Sequence, residues 1–250
     1  MIVLLFIMKK PKTRIFINKL ISSNLIIYIK DKQHHFLKNV MRIKVNDEII
    51  IFDGISGEWN SKVIAVSREN TALRVNENVK KMQSSPDIWL IFAPIKQNRM
   101  SIAIQKATEL GVSKIIPCNT EYTNIKNINI KNLYQNAIEA SEQSQRLDVP
   151  SIEKKVDLKS LLDSWPNDRK LIYCDEKNTE NRSIIKTIVH LKNTTKKWSV
   201  LIGPEGGFSD TEKDLILENN AVISVSLGDT ILRSDTAITV ALFCIKEITS

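Results

Sequence analysis

Short apolar runs separated by turn residues dominate the first third of the chain. Five runs rich in Ile, Val and aromatic residues are predicted to be strands between residues 14 and 79: RIFI, LIIYI, DEIIIFDG, EWNSKVIAV and TALRVNENV. The turn pairs Asn46-Asp47 and Asp53-Gly54 flank the third run. The pattern predicts a small β-barrel or sandwich.

One helical segment, HHFLKNVMR, interrupts these strands. Helical spacing puts Phe36 and Val40, together with Leu37, on one face and places Lys38 and Arg42 elsewhere. We therefore expect the three apolar side chains to be buried together.

The pattern changes after residues 80–87, a polar segment, KKMQSSPD, that indicates a domain junction. Apolar runs predict strands at IWLIFAP, KIIPCN, KLIYCDE, WSVLIG and VISVSL. Helices are predicted over MSIAIQKATEL, which Gly111 ends, and over roughly 130–146, 182–192, 209–219 and 235–247, with a less regular stretch over 147–169. Strands that alternate with helices indicate an α/β domain, in which helices cover a parallel sheet.

Composition excludes several classes of protein. A chain of 250 residues with 42% hydrophobic and 26% charged residues is typical of a globular protein. Three dispersed cysteines without a C-x-x-C pair, and three histidines without a ligand cluster, argue against a disulfide scaffold and a metal site. The apolar start, residues 1–8, is far shorter than the roughly 20 residues of a membrane span, and its positive charges follow it. We expect a cytoplasmic protein whose translation starts at Met8.

The net charge of +8 belongs entirely to the first third of the chain. Residues 1–83 contain 15 Lys and Arg against 7 Asp and Glu, whereas residues 84–250 contain 21 of each. Such an asymmetry favours an N-terminal module that binds a polyanion, in the first place a nucleic acid.

Four of the seven glycines fall between residues 203 and 228 and follow two predicted strands. The first loop is in LIGPEGGFSDTE, where Ser209 and Glu212 have the spacing of a capping box. The second is in SLGDTILRSDTAITVAL. Glycines at the carboxyl ends of strands let the backbone approach a ligand closely, so the two loops predict one pocket. Neither loop has the Walker or the dinucleotide-binding pattern.

These two motifs resemble the paired C-terminal motifs of the SPOUT methyltransferases, and in particular the RsmE family. Further strings are similar to that family in the same order: HHFLKNVMRIKVNDEIIIFDG, QKATELGVSKIIP and AIEASEQSQRLDVP. The resemblance covers the chain from about Arg14 to its end.

The resemblance implies an α/β fold with two domains. A PUA-like RNA-binding β-barrel, residues 8–83, would precede a SPOUT methyltransferase domain with a deep trefoil knot, residues 84–250. It also implies a homodimer that uses S-adenosylmethionine, without a metal, to methylate N3 of a uridine in small-subunit ribosomal RNA, either free or in the assembled subunit. The implied cofactor-binding residues are Leu201, Gly203, Gly206, Gly207, Val225, Leu227, Gly228 and Leu232.

The chain departs from the family pattern at three places. Tyr122 stands where the family has an arginine between a glutamate and a Ser or Thr, which affects how the substrate is placed. Ser234-Asp235 replaces Thr-Glu, and Asn46 replaces a turn glycine but tolerates a left-handed backbone.

Methylation at N3 requires loss of the imide proton, and the resulting negative charge spreads over O2 and O4. Arg233 is the candidate that stabilises this charge, with a surface or ion-pair role as the alternative. The general base is left open between Asp235 and Glu205, because each has an alternative role in capping or in orienting the cofactor.

Basic residues are the candidates for phosphate contacts: Arg14, Lys38, Arg42, Lys44 and Arg146. For Arg146 an ion pair with Glu142 on the same helical face is an equal alternative. His34 and His35 are interpreted as turn or core residues, with stacking on RNA as the alternative.

Two other functions stay open. A non-catalytic ribosomal RNA-binding protein on the same fold would keep the basic module, but the intact glycine loops argue against it. A methyltransferase for another RNA nucleotide would share every feature described so far.

Overall fold

A computed structural model describes residues 11–125, 127–175 and 182–249. The chain forms two compact units. The first extends to Ser84 and includes Ser141–Asp148, and the second consists of Ser85–Ala140 and the residues from Val149 onwards. The division into two domains at 8–83 and 84–250 stays a prediction.

The first unit contains, in the part of the chain that the structure describes, one five-stranded sheet. Its strands are β1 (Arg14–Phe16), β2 (Ile26–Ile29), β3 (Glu48–Phe52), β4 (Glu58–Val66) and β5 (Thr71–Lys80). Their order is β1-β3-β4-β5-β2, with β1 and β3 parallel and the other pairs antiparallel. All five predicted strands are confirmed, because their alternating apolar residues form the core on one face of this sheet.

The helical segment in this unit differs from its prediction. A short helix α1 (Asp31–His35) continues into a π-helical turn, Phe36–Val40, in which the N–H of Met41 donates to the carbonyl of Phe36. Leu37 is fully buried, but Val40 is 61% exposed. The expectation that Val40 shares the buried face is wrong, since the wider π turn changes which side chains lie above one another.

His34 belongs to the core of the first unit. It is buried, with Nδ1 2.9 Å from Thr71 Oγ1 and Nε2 3.2 Å from the carbonyl oxygen of Arg68. This position favours the core interpretation of His34 over stacking on RNA.

The second unit is an α/β layer structure. Its strands in the described residues are β6 (Ile88–Phe92), β7 (Lys114–Asn119), β8 (Ser151–Ile152), β9 (Val156–Asp157), β10 (Lys170–Cys174), β11 (Trp198–Ile202) and β12 (Val222–Val225). Their order is β12-β10-β11-β6-β7-β8, with β9 also beside β7, and every pair is parallel. The predicted α/β class is confirmed, and the trefoil knot stays a prediction.

Helices cover both faces of this sheet, and two apolar clusters lie between the layers. The helices are α2 (Gln97–Glu109), α3 (Ile130–Ser144), α4 (Leu158–Asp163), α5 (Ile184–Leu191), α6 (Asp210–Glu218) and α7 (Ser234–Thr249). The irregular stretch contains β8, β9 and α4, which the sequence pattern did not separate. In the described part of the chain, no helix is long and apolar enough to cross a membrane.

Asp53 organises the turn that follows β3. Its buried carboxylate accepts hydrogen bonds from the backbone N–H groups of Ile21, Ile55 and Ser56, at 2.7–2.8 Å, and from Ser56 Oγ at 2.6 Å. Gly54 has a φ of +77°, and Asn46, in the turn before the strand, has a φ of +75°. Burial raises the pKa of Asp53, but the hydrogen bonds outweigh it and leave the pKa below its ordinary value.

We expect Asp53→Asn to lower the free energy of unfolding by about 1–3 kcal/mol at neutral pH, because an amide cannot accept all four hydrogen bonds. The pKa is lowered by folding, so this stabilisation is complete above the unfolded value of about 3.9 and is lost as the pH falls through the folded value. The difference between wild type and variant, measured by urea denaturation followed by tryptophan fluorescence, should therefore shrink in acid.

Asp163→Asn is the matched control. Asp163 forms an exposed pair with Lys159 at 2.9 Å, so its substitution should cost less than about 0.5 kcal/mol. A stability difference for Asp53→Asn that stays constant down to strongly acidic pH would contradict the assignment.

Candidate functional site

A pocket lies where β10, β11 and β12 end side by side at the carboxyl edge of the second sheet. Its floor comes from the three strand ends, and its wall from the segment that leads into α7. The lining residues are Cys174, Asp175, Ile202, Gly203, Pro204, Ser226, Leu227, Gly228, Thr230, Leu232, Ser234 and Ala237. Two loops that α6 and β12 separate in the sequence thus form one site.

Four of the eight predicted cofactor-binding residues line this pocket: Gly203, Leu227, Gly228 and Leu232. Leu201 and Val225 are fully buried within β11 and β12, so they support the strand ends from inside the unit. Gly206 and Gly207 lie further along the first loop, beyond the lining residues.

The backbone at the glycines leaves room for a ligand. Gly228 has a φ of +124°, and a Cβ built on it would meet no atom within 4 Å. Ser226 Oγ lies 3.1 Å from the nitrogen and 3.2 Å from the carbonyl oxygen of Gly228, which fixes the loop. At Gly203 a Cβ would come within 2.8 Å of the Phe208 ring, so packing of the first loop requires glycine there.

Two lining residues, Cys174 and Asp175, lie outside both glycine motifs. Cys174 and Asp175 come from the end of β10, which is adjacent to β11 only in the folded sheet. Ser234 Oγ donates to the carbonyl of Gly203 at 3.1 Å and so joins the start of α7 to the first loop. Burial raises the pKa of the Cys174 thiol, which keeps it protonated. An acidic residue directly after a buried strand was the available signal for Asp175.

The three candidate catalytic residues have different surroundings. Arg233 is exposed, and its guanidinium forms no hydrogen bond or ion pair in the described ranges. Asp235 lies in the first turn of α7, and its buried Oδ1 has no hydrogen-bond partner among the described residues. Glu205, by contrast, faces Arg99, with Oε1 3.7 Å from Nη1.

Tyr122 lies against the first glycine loop. Its side chain is 46% exposed, and a Cβ at Gly206 would be 3.2 Å from Tyr122 Cβ. Glu212 links the loop after β7 to the end of the first glycine loop. Its Oε1 accepts a hydrogen bond from the N–H of Glu121 at 2.8 Å, and its Oε2 accepts one from the N–H of Ser209 at 3.0 Å. The predicted capping box is confirmed and also anchors the loop after β7.

Arg14, one of the candidate phosphate contacts, is bonded within the first unit. Its Nε lies 2.7 Å from Glu58 Oε2, and its two terminal nitrogens donate to the carbonyls of Ser141 and Arg146 at 2.9 and 2.6 Å. The guanidinium also lies 3.7 Å above the centre of the Phe52 ring. A phosphate contact by Arg14 would require these bonds to break.

The other candidate cations of this unit differ in their freedom. Arg146 is mostly buried and bonded to Asp148 at 2.9 Å. Because α3 ends at Ser144, Arg146 lies beyond the helix, so the expectation that it shares a helical face with Glu142 is wrong. Lys38 donates to a backbone carbonyl in the β4–β5 turn, whereas Arg42 and Lys44 are exposed.

Within the described ranges, no group of three or more His, Cys, Asp and Glu side chains is placed to hold a metal ion. The pocket therefore offers backbone groups, hydroxyls and one carboxylate from Asp175 as its polar contacts.

Comparison with known proteins identifies both units. The family model of the RNA methyltransferase domain matches residues 82–246, and that of the RNA methyltransferase PUA domain matches residues 29–75. A ribosomal RNA small subunit methyltransferase E of Rickettsia conorii is 36% identical over 92% of this chain and 93% of the relative. The protein of the same name from Buchnera aphidicola subsp. Schizaphis graminum is 29% identical over 96% of this chain and 97% of its own.

Solved structures agree with these relatives. A Legionella pneumophila protein solved in complex with the bound cofactor SAM has a TM-score of 0.85 at 25% identity, with coverage of 94% of this chain and 97% of its own. A ribosomal RNA small subunit methyltransferase E from Neisseria gonorrhoeae, bound to S-adenosyl methionine, has the same fold, with a TM-score of 0.81 at 24% identity over 92% and 94%. The chain belongs to the RNA methyltransferase family, and within it to the ribosomal RNA small subunit methyltransferases E.

Proposed function

We propose that this chain transfers a methyl group from S-adenosylmethionine to N3 of one uridine in small-subunit ribosomal RNA, as a homodimer in the cytoplasm. The observation that carries the proposal is the pocket of two glycine loops at the carboxyl edge of the second sheet. Its place in a chain of the RNA methyltransferase family gives the reaction class.

The residues of the pocket fit the cofactor. Ile202, Leu227, Leu232 and Ala237 offer an apolar surface of the kind that an adenine ring requires. Open space beside Gly228 lets a ligand reach the backbone of the second loop. Asp175 contributes a carboxylate to the pocket lining, which is the kind of group that binds a ribose hydroxyl. When bound, S-adenosylmethionine supplies a methyl group on a positively charged sulfur.

Arg233 is proposed to stabilise the negative charge of the uracil. Arg233 lies between the second loop and the start of α7. The residues on both sides of it line the pocket, so its Cα is fixed at the pocket wall. Because its guanidinium has no partner in the described part of the chain, its donors are available to O2 or O4 of the deprotonated base.

Asp235 is proposed as the general base in preference to Glu205. Its Oδ1 accepts no hydrogen bond from the described residues, so no donor among them competes for it, and Asp235 directly follows Ser234 of the pocket lining. The carboxylate of Glu205 already faces the positive charge of Arg99, which favours an orienting role for Glu205.

The first test is calorimetric titration with S-adenosylmethionine, followed by transfer of a tritiated methyl group to small ribosomal subunits that lack the modification. We expect cofactor binding and methylation of N3 at one uridine, because the glycine loops and the basic first unit are both intact. Cofactor binding with transfer to another nucleotide would contradict the N3 assignment. No cofactor binding would leave only an RNA-binding role.

Arg233→Ala should lower the rate of methyl transfer by roughly 10²–10³-fold and leave the Kd for S-adenosylmethionine unchanged, because the donor acts on charge that develops in the transition state. Arg233→Lys should recover part of the rate, since it restores the charge without the planar fork. Single-turnover transfer at saturating RNA measures both. Unchanged turnover in Arg233→Ala would exclude the catalytic role.

Asp235→Asn should reduce transfer by roughly 10²-fold at neutral pH, and raising the pH should recover much of the loss, because the imide proton then leaves without a base. Glu205→Gln should lose less of the transfer rate, and raising the pH should not restore it. Asp210→Asn, a fully exposed residue of α6, is the control for a lost carboxylate. The base is Glu205 instead if Glu205→Gln is the variant that high pH restores.

A further inference from the structure

Two cations and two exposed apolar side chains lie together on the outer face of the five-stranded sheet. Lys62 of β4 is paired in register with Arg74 of β5, and Arg74 is paired with Ile26 of β2. Residues directly opposite one another project from the same face, and their flanking neighbours, such as Leu73 and Val75, are buried in the core. We call the surface formed by Lys62, Arg74, Ile26 and Tyr28 the outer face.

The cations of the outer face are free to bind an anion. Lys62 and Arg74 are exposed, and neither forms an ion pair or a side-chain hydrogen bond within the described ranges. The row continues beyond Lys62 to the half-buried Glu48, whose Oε2 lies 3.5 Å from Asn60 Nδ2. Arg14 and Arg146, in contrast, are bonded inside the same unit.

Tyr28 presents an aromatic ring next to these cations. It is 61% exposed and follows Ile26 by two positions, so both side chains project from the same face of β2. Across the sheet it is paired with Ala72, which is paired in turn with Ala65. Small neighbours leave the ring uncovered. Ile26 and Tyr28 also line a groove that includes Lys19 and Lys30.

We propose that the outer face binds a single-stranded segment of the substrate RNA, with one unpaired base stacked on Tyr28 and adjacent phosphates bound by Arg74 and Lys62. Adjacent strands are about 4.8 Å apart, so the row from Ile26 to Lys62 forms a continuous track across three strands. Aromatic rings beside a basic track are the usual means of binding unpaired nucleotides. The inference rests on the proposed function and adds the residues that hold the RNA.

Charge favours RNA over a protein partner. Residues 1–83 carry the whole positive surplus of the chain, and a polyanion is the partner that such a surface attracts. A second copy of this chain would bring the same positive charge to the interface. It is therefore the alternative that the experiment must exclude.

The experiment measures binding of the full chain to a short fluorescein-labelled oligouridylate by fluorescence anisotropy over a range of salt concentrations. Arg74→Gln and Lys62→Gln should each reduce the slope of log K against log salt by about 0.7, the value for one phosphate of a single strand. Tyr28→Ala should weaken binding by roughly tenfold without changing that slope, and Tyr28→Phe should bind as wild type. The same oligonucleotide annealed to its complement should bind without dependence on Tyr28.

Lys186→Gln is the matched control, because it removes one exposed positive charge from α5 of the second unit. An equal loss of slope in this variant would mean that only the total charge matters and would overturn the proposal. Unchanged binding in Tyr28→Ala and Arg74→Gln would overturn it as well.

Two further measurements separate the outcomes. Sedimentation of the Tyr28→Ala variant should show the oligomeric state of wild type, and a change without loss of RNA affinity would assign the outer face to a protein interface. The Kd for S-adenosylmethionine should be unchanged in every variant, which also confirms folding of the second unit. If the wild type transfers methyl groups but the variants bind RNA normally, only the RNA-binding role of the outer face is refuted. If the wild type transfers no methyl group, the proposed function is refuted.

Discussion

The buried guanidinium of Arg169 joins the amino ends of three parallel strands in the second sheet. It donates to the carbonyl of Trp198 at 2.9 Å and to the carboxylate of Asp87 at 2.6 Å, and it lies 3.6 Å above the ring of Trp89. Asp87 precedes β6, Trp198 begins β11, and Arg169 itself precedes β10. Arg169 is only 2% exposed, and through these partners it fixes the stagger of the strands. Because the stagger is fixed at one edge, β10 and β11 end together at the other, where the pocket lies.

The pocket depends on backbone geometry more than on individual side chains. The absence of a Cβ at Gly203 leaves space for the Phe208 ring, and Gly228 adopts a φ that other residues rarely adopt. Glu212 adds a second constraint, because one carboxylate serves both the start of α6 and the loop that carries Tyr122. A substrate base near this edge would therefore meet loops whose positions are set by the sheet and by one capping residue. A methyl transfer requires loops that are positioned in this way, since the reacting atoms must be aligned.

The sequence allowed prediction of what local periodicity determines. Alternating and continuous apolar runs located the long strands, and the Ser209–Glu212 spacing located a helix start. Val40 was misplaced, because a π turn leaves no mark in a pattern analysed at 3.6 residues per turn. Asp175 was missed because β10 becomes a neighbour of β11 and β12 only in the sheet. Arg14 was interpreted from its charge alone, and its partner Ser141 is 127 residues away in the chain.

The cations of the first unit show why net charge locates a binding module but not its binding residues. All three guanidinium nitrogens of Arg14 donate hydrogen bonds. Two of these bonds join β1 to the segment Ser141–Asp148. Lys62 and Arg74 contribute the same formal charge, yet they are exposed and have no such bonds in the part of the chain that the structure describes. Release of counterions from RNA depends on cations of the second kind. The bonded arginines stabilise the sheet, whereas the free cations on it are the ones proposed to supply affinity for RNA. Hydrogen bonds, and not charge, therefore distinguish the two groups.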